Sequence, residues 1–353
     1  MSALWIGRRQ SVGIGREIVR GTGVAPSYWL NCLSFNYKDV PTKARSEAGT
    51  GGIWIGDQAP VTLIHAEGDM EVELGDQSLA VLLYALLGVG LTSGPTDTAA
   101  YTHTYTLQND NQHDSLTIHT IDPIGQLAFE MSMIDVFELR IEPNAIISAT
   151  VSFISKPSVD SGGQTASYGA EKKFVGRNLT FEIAATTASL GNVLNEVDLK
   201  SLTLRFEKNA EAVPILSSVH PEDIINKQFN ITGEIVLNNE SRTFLNYVKD
   251  GDYKAIRIDL THEDTITGCA TAKYQFRLDL SKVEFESWEP DFAMDEVVTE
   301  TLSFTALFDA GLNNNVINSC YLVNAIDDYS ISSFSPSLSP SISPSLSPSV
   351  SPS

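Results

Sequence analysis

Histidine, cysteine and carboxylate are the side chains that could do chemistry here, and their spacing decides what chemistry that would be. The six histidines are His65, His103, His113, His119, His220 and His262. His113 and His119 lie near Asp110 and Asp114, a set that could hold a cation through imidazole and carboxylate. Yet Asn109-Asp-Asn-Gln-His-Asp lacks the glycine and closing glutamate of a calcium loop, and reads as a polar hairpin turn. Cys32, Cys269 and Cys320 are odd in number, widely spaced and without a CxxC, so reduced, buried thiols are expected. Gly13-Ile-Gly15 and Gly21-Thr-Gly23 complete neither GxGxxG nor a P-loop, and no GxSxG elbow occurs. No catalytic, cofactor or metal residues are assigned, and the chain is read as a non-enzyme.

Charge says more than motifs. The net charge of −21 argues against tight nucleic-acid binding, which needs Lys and Arg to replace counterions on phosphates. Residues 1–45 nevertheless carry Arg8, Arg9, Arg16, Arg20, Lys38, Lys43 and Arg45 against only Glu17 and Asp39. Residues 46–160 carry sixteen acids against Arg140 and Lys156. A basic arm before an acidic body suits head-to-tail assembly, and equally an acidic surface that keeps an abundant protein dissolved. No apolar run spans a bilayer, so no membrane partner is expected. The opening MSALWIGRRQ has no secretory pattern, which leads us to expect synthesis in a cytoplasm.

The elements that would carry these residues are mostly strands. Period-two, β-branched runs occur at 61–64, 70–74, 101–107, 115–121, 127–133 and 147–154. They resume at 178–183, 199–206, 229–237, 255–260, 274–285 and 297–308. One helix stands out, with Leu79, Leu82, Leu83 and Leu86 on one stripe as helix core, Asp76 as expected N-cap and Gly88 as stop. The Gly/Ser-rich stretch 157–170 reads as a break between domains.

The second half repeats the first. At a constant spacing of 163 residues, Glu71, Val72, Leu74, Leu82, Tyr84 and Gly88 match Glu234, Ile235, Leu237, Leu245, Tyr247 and Gly251. Val136 to Pro143 matches Val283 to Pro290, and Thr150-Val-Ser-Phe153 matches Thr301-Leu-Ser-Phe304. A repeat of this length is a duplicated domain rather than a solenoid unit. From Ser335 the chain changes material: Pro336, Pro340, Pro344, Pro348 and Pro352 impose extended backbone, with serines on one face and aliphatics among the prolines on the other. That tail reads as disordered, or as a strap that presents serines outward for glycosylation.

The opening Gly13-Ile-Gly15-Arg16-Glu17 followed by Gly21-Thr-Gly-Val-Ala-Pro-Ser-Tyr-Trp-Leu30 resembles the N-terminal arm of siphophage major tail proteins, the tail tube proteins. The resemblance extends through Glu71-Val-Glu-Leu, residues 135–156, Leu202-Thr-Leu-Arg-Phe and Pro221-Glu-Asp-Ile, about 320 residues in all. It implies a mainly β fold: two tandem β-sandwich or half-barrel domains, each with one flanking α-helix, plus the extended Ser/Pro-rich tail. The expected division is an assembly arm at 1–28, tube domains at 29–156 and 173–325, a linker at 157–172 and a tail at 326–353. The family forms stacked rings, so a duplicated chain implies a homotrimer of pseudo-hexameric symmetry. Its implied partners are itself, the tail terminator, tape measure and distal tail proteins, with double-stranded DNA passing an acidic lumen unbound. Arg8, Arg9, Arg16, Arg20, Trp29 and Trp54, with the loops 43–58 and 211–224, are the candidate assembly contacts. The rival reading is a carbohydrate-binding or surface-decoration module, for which Trp5, Trp29, Trp54 and Trp288 are too scattered to form an aromatic platform.

Overall fold

The computed structural model describes residues 4–49, 51–311 and 315–329; the Ser-Pro repeat lies outside the described residues. The chain is mainly β. Its first half runs through β1 (Ser11–Arg16), β2 (Tyr28–Leu30), β3 (Cys32–Lys43), β4 (Val61–Glu73), α1 (Ser78–Leu87), β5 (Gly88–Ser93), β6 (Tyr101–Leu107), β7 (Leu116–Ile121), β8 (Gln126–Ile141), β9 (Ser148–Ser155) and β10 (Val159–Ser161). The second half follows with β11 (Leu179–Ala184), β12 (Leu199–Glu207), β13 (Glu211–Val213), β14 (Asp223–Ile225), β15 (Asn230–Asn238), α2 (Thr243–Asp250), β16 (Lys254–Thr265), β17 (Lys273–Asp291), β18 (Thr299–Ala306) and β19 (Ile317–Asn324).

Two long strands organise everything. The start of β8 pairs with β7, while its end pairs with β9 and, on the other side, with β12. β17 repeats the arrangement, its start lying between β16 and β19 and its end beside β18. Bulges at Asp135 and Glu286 mark the places where each strand turns from one layer into the next. The result is one continuous antiparallel sheet of eight strands in the order β3-β4-β9-β8-β12-β15-β18-β17. Over it lie two smaller layers, β2-β1-β7-β8-β10 and β11-β16-β17-β19-β6-β5. A single apolar core runs between the layers and through both halves, from Ile14, Met70 and Phe137 to Ile235, Leu278 and Phe304.

The halves correspond element by element: β1 to β11, β3 to β12, β4 to β15, α1 to α2, β7 to β16, β8 to β17, β9 to β18 and β10 to β19. Ladder register refines the letter matches. Thr150 pairs with Glu71, and its counterpart Thr301 pairs with Val236, so Glu71 answers to Val236 and Gly68 to Gly233. By the same rule Val136 answers to Ser287 rather than Val283. The first correction is an even-numbered slip, which keeps every side chain on its own face, so those letters still matched; the second crosses the bulge at Glu286, ahead of which the faces are exchanged, with Phe137 buried where Glu284 is exposed. The helices keep the spacing read from sequence: Gly88 (φ 90°) and Gly251 (φ 66°) end them in the left-handed region, each amide returning to Tyr84 or Tyr247.

Three details differ from the expectations. Asp76 is not the cap of α1; it is buried and accepts the Lys172 amide at 2.7 Å. Gln77 precedes the helix, and the Ser78 amide is taken by Glu171 at 3.0 Å, a carboxylate supplied by tertiary packing that no local motif announces. The stretch 157–170 includes β10, which pairs with β8, so that part of the expected break belongs to a sheet. Finally, the hairpin β5-β6 occurs only in the first half and lies across β19 of the second.

Candidate functional site

The N-terminal arm is built into the body by close approach. A Cβ on Gly13 would come within 3.0 Å of the Trp29 ring, and one on Gly15 within 2.5 Å of the Ala25 carbonyl. The Gly-x-Gly pair therefore exists to let β1 lie tight against the chain segment that carries Trp29. Trp29 itself is only 5% exposed. Glu17, also buried, gathers the arm: its carboxylate accepts from the amides of Gly21 and Met131 (both 2.7 Å), from Ser115 Oγ and from Thr117 Oγ1.

Arg20 reaches into the second half, donating from Nε to Asp223 at 2.7 Å and from its two Nη atoms to the carbonyls of His113 and Ile224. Arg16 pairs with Asp114 at 2.9 Å and lies 4.0 Å over the Tyr84 ring. Of the six candidate contact residues, Arg16, Arg20 and Trp29 thus make contacts inside the chain. Arg8, Arg9 and Trp54 are exposed. Trp54 sits between exposed Ile53 and Ile55 at the tip of the long β3-β4 connection. The matching connection of the second half folds back as the β13-β14 hairpin, with Leu216 at its exposed tip, and Val219 accepts the amide of Ile64 at 2.7 Å. The second connection therefore lies against the start of β4. Leu79, Leu82, Leu83 and Leu86 lie in the core.

Two of the histidines singled out from the sequence are likewise in use within the chain. His113 Nε2 meets the Gln108 carbonyl at 2.8 Å and His119 Nε2 the Val24 carbonyl at 2.7 Å. Burial, with the Lys208 charge second, holds His113 below its ordinary range. Burial pushes the Cys32 thiol up to about 12 and raises Cys320 as well, which disfavours the reactive thiolates. Among the described residues no three His, Cys, Asp or Glu side chains form a metal-holding group.

The broad sheet has two unlike faces. Residues such as Met70, Phe137, Leu204, Ile235 and Leu302 turn inward. The alternate residues face out: Glu67, Asp69, Glu71 and Glu73 on β4, Glu138 on β8, Glu207 on β12, Glu234 on β15, and Glu289 with Asp291 on β17. Lys38, Arg140 and Arg205 are the cations among them, and Ser148, Thr150, Ser152, Thr301, Ser303 and Thr305 fill β9 and β18. Arg205 bridges the two halves on this face, bonding Glu138 at 3.0 Å and Glu207 at 2.7 Å. Burial alone would raise the Glu138 carboxyl, but bonds from Arg140 and Arg205 hold it below the usual carboxylate range. The outcome is an acid-rich, hydroxyl-lined surface whose terminal strands, β3 and the end of β17, are unpaired on their outer edges among the described residues.

A search of curated proteins returns no match. A family model described as phage tail tube protein matches residues 7–306, which takes in the arm, the whole eight-stranded sheet and both helices. The chain therefore belongs to the phage tail tube protein family.

Proposed function

We propose that three copies of this chain close into a ring of pseudo-hexameric symmetry, and that rings stack into a hollow tube with the acid-rich sheet face lining the bore. The observation that carries the reading is the eight-stranded sheet itself: one face polar and acidic, the other turned to the core, and two edges unpaired among the described residues. An open sheet edge is an aggregation hazard unless it meets a partner, and ring closure removes it without creating another. A bore of carboxylates and hydroxyls repels a duplex that carries one charge per about 1.7 Å, so DNA slides through rather than sticking.

Stacking falls to the exposed basic start of the arm, Arg8 and Arg9, and to two exposed apolar tips, Ile53-Trp54-Ile55 and Leu216. The tube would end at a terminator, enclose a tape measure protein and join a distal tail protein within the virion. Electron microscopy of the purified protein tests the reading. Helical reconstruction should give tubes with three chains per ring and the β4 acids toward the axis. Six whole chains per ring, or those acids facing outward, would overturn it.

A further inference from the structure

The chain contains one example of how its halves join, and that example specifies how separate chains should join. Inside the chain β8 of the first half pairs with β12 of the second: Ile141 with Leu202, Arg140 with Thr203, Leu139 with Leu204, Glu138 with Arg205 and Phe137 with Phe206. The counterparts of β8 and β12 are β17 and β3, which are the two open edges of the sheet. Ladder correspondence carries each residue across without adjustment. Thr150 and Thr301 fix Glu138 onto Glu289. Glu71 and Val236 fix Ser34 onto Ser201, and hence Lys38 onto Arg205. Even the bulge at Leu33 falls on the one at Lys200.

We propose that β17 of one copy pairs antiparallel with β3 of the next in the register of the internal junction, so that Glu289 lies opposite Lys38 and Asp291 opposite Asn36. The inference rests on the ring reading above and goes beyond it by assigning the register and the residues.

Two independent features of the edges fit that register. Charge fits first: Lys38 is the exposed cation at the place of Arg205, and Glu289 is exposed at the place of Glu138. Lys38 already lies 3.3 Å from Glu67, so Glu289 would join an existing pair, as Glu138 joins Arg205 and Glu207. Shape fits second. An open groove of about 650 Å³ beside β3 is lined by Phe35, Tyr37, Leu127 and Phe129. Phe35 and Tyr37 occupy the places of the buried Leu202 and Leu204, and are only half-covered. The register would bring Pro290 and Phe292 opposite Tyr37 and Phe35, in the places of Leu139 and Ile141. Phe292 is 67% exposed in the single chain, near in sequence to exposed Met294 and Val297.

The test is a charge exchange combined with crosslinking. Lys38→Glu should raise the concentration needed for polymerisation several-fold, because Glu289 and Asp291 would then face a like charge. Adding Glu289→Lys should restore tubes. Opposed residues on antiparallel strands lie within disulfide reach. Oxidised tubes of a Lys38→Cys, Glu289→Cys variant should therefore yield covalent trimers, more completely than Lys38→Cys with Ser287→Cys or with Asp291→Cys. Single-cysteine variants report the background from Cys32, Cys269 and Cys320. Stronger crosslinking at Ser287 or Asp291, or no rescue by the exchange while the wild type polymerises, overturns the register and leaves the ring reading standing. A wild-type chain that stays monomeric overturns both.

Discussion

Lys208 is fully buried, with its ammonium 3.1 Å from the Ala85 carbonyl. Burial first, and the Arg20 charge second, bring it down from 10.5 to about 7. Between those values the unfolded chain binds a proton that the folded chain has shed, so stability rises with pH across the window, by at most ~1.4 kcal/mol per unit. Below about 7 the full cost is felt, and above 10.5 there is none. Urea unfolding of Lys208→Met at several pH values should show a flatter slope than the wild type. Glu17 offers a second residue-scale test. Glu17→Ala strands four donors in a buried place, and a loss of about 3 kcal/mol is expected, read as a lowered urea midpoint with earlier proteolysis near Gly21. Neither residue announced its role in the letters. Glu17 appeared only as part of an arm motif, and Lys208 as one more cation after a strand, because their partners lie far along the chain.

At the scale of elements, the two helices diverged although their stop signals did not. α1 is buried along most of its length, covered by β5, β6 and the chain around Glu171, whereas α2 has no fully buried residue and packs chiefly on β17. Gly88→Ala should cost more than Gly251→Ala. Both force a side chain into left-handed backbone, but only the Gly88 Cβ would also strike Gln108, at 2.6 Å. Thermal unfolding of the two variants measures the difference, about 1 kcal/mol for Gly251→Ala and more for Gly88→Ala. Strands such as β6, β7, β9, β12 and β15 were legible because their alternation is regular and β-branched. β1 was hidden by the glycines that let it pack so closely, and β3 by its bulge and a proline. The bends in β8 and β17 were not legible, since each rests on a single bulged residue, Asp135 or Glu286, that shifts the alternation by one and that no letter marks.

For the whole molecule, the duplication was legible before any coordinates, while the continuous sheet that unites the copies was not. Sequence similarity reports kinship between halves, not the β8-β12 pairing that joins them. The acid-rich face makes a prediction at this scale. Tubes of an Asp69→Lys, Glu71→Lys variant should assemble yet retain duplex DNA in a manner relieved by salt, while wild-type tubes release it, as read by co-sedimentation at two ionic strengths. Retention of DNA by wild-type tubes would remove the repulsive-bore argument.

The hairpin β5-β6 belongs to one half alone and pairs along the edge of β19 of the other. In a ring of three chains the inner strands would recur six times per turn, but this outer ornament only three. A partner that grips the tube from outside would count three sites per ring, and one that reads the bore would count six. Binding stoichiometry alone could therefore tell from which side an unknown tail component approaches.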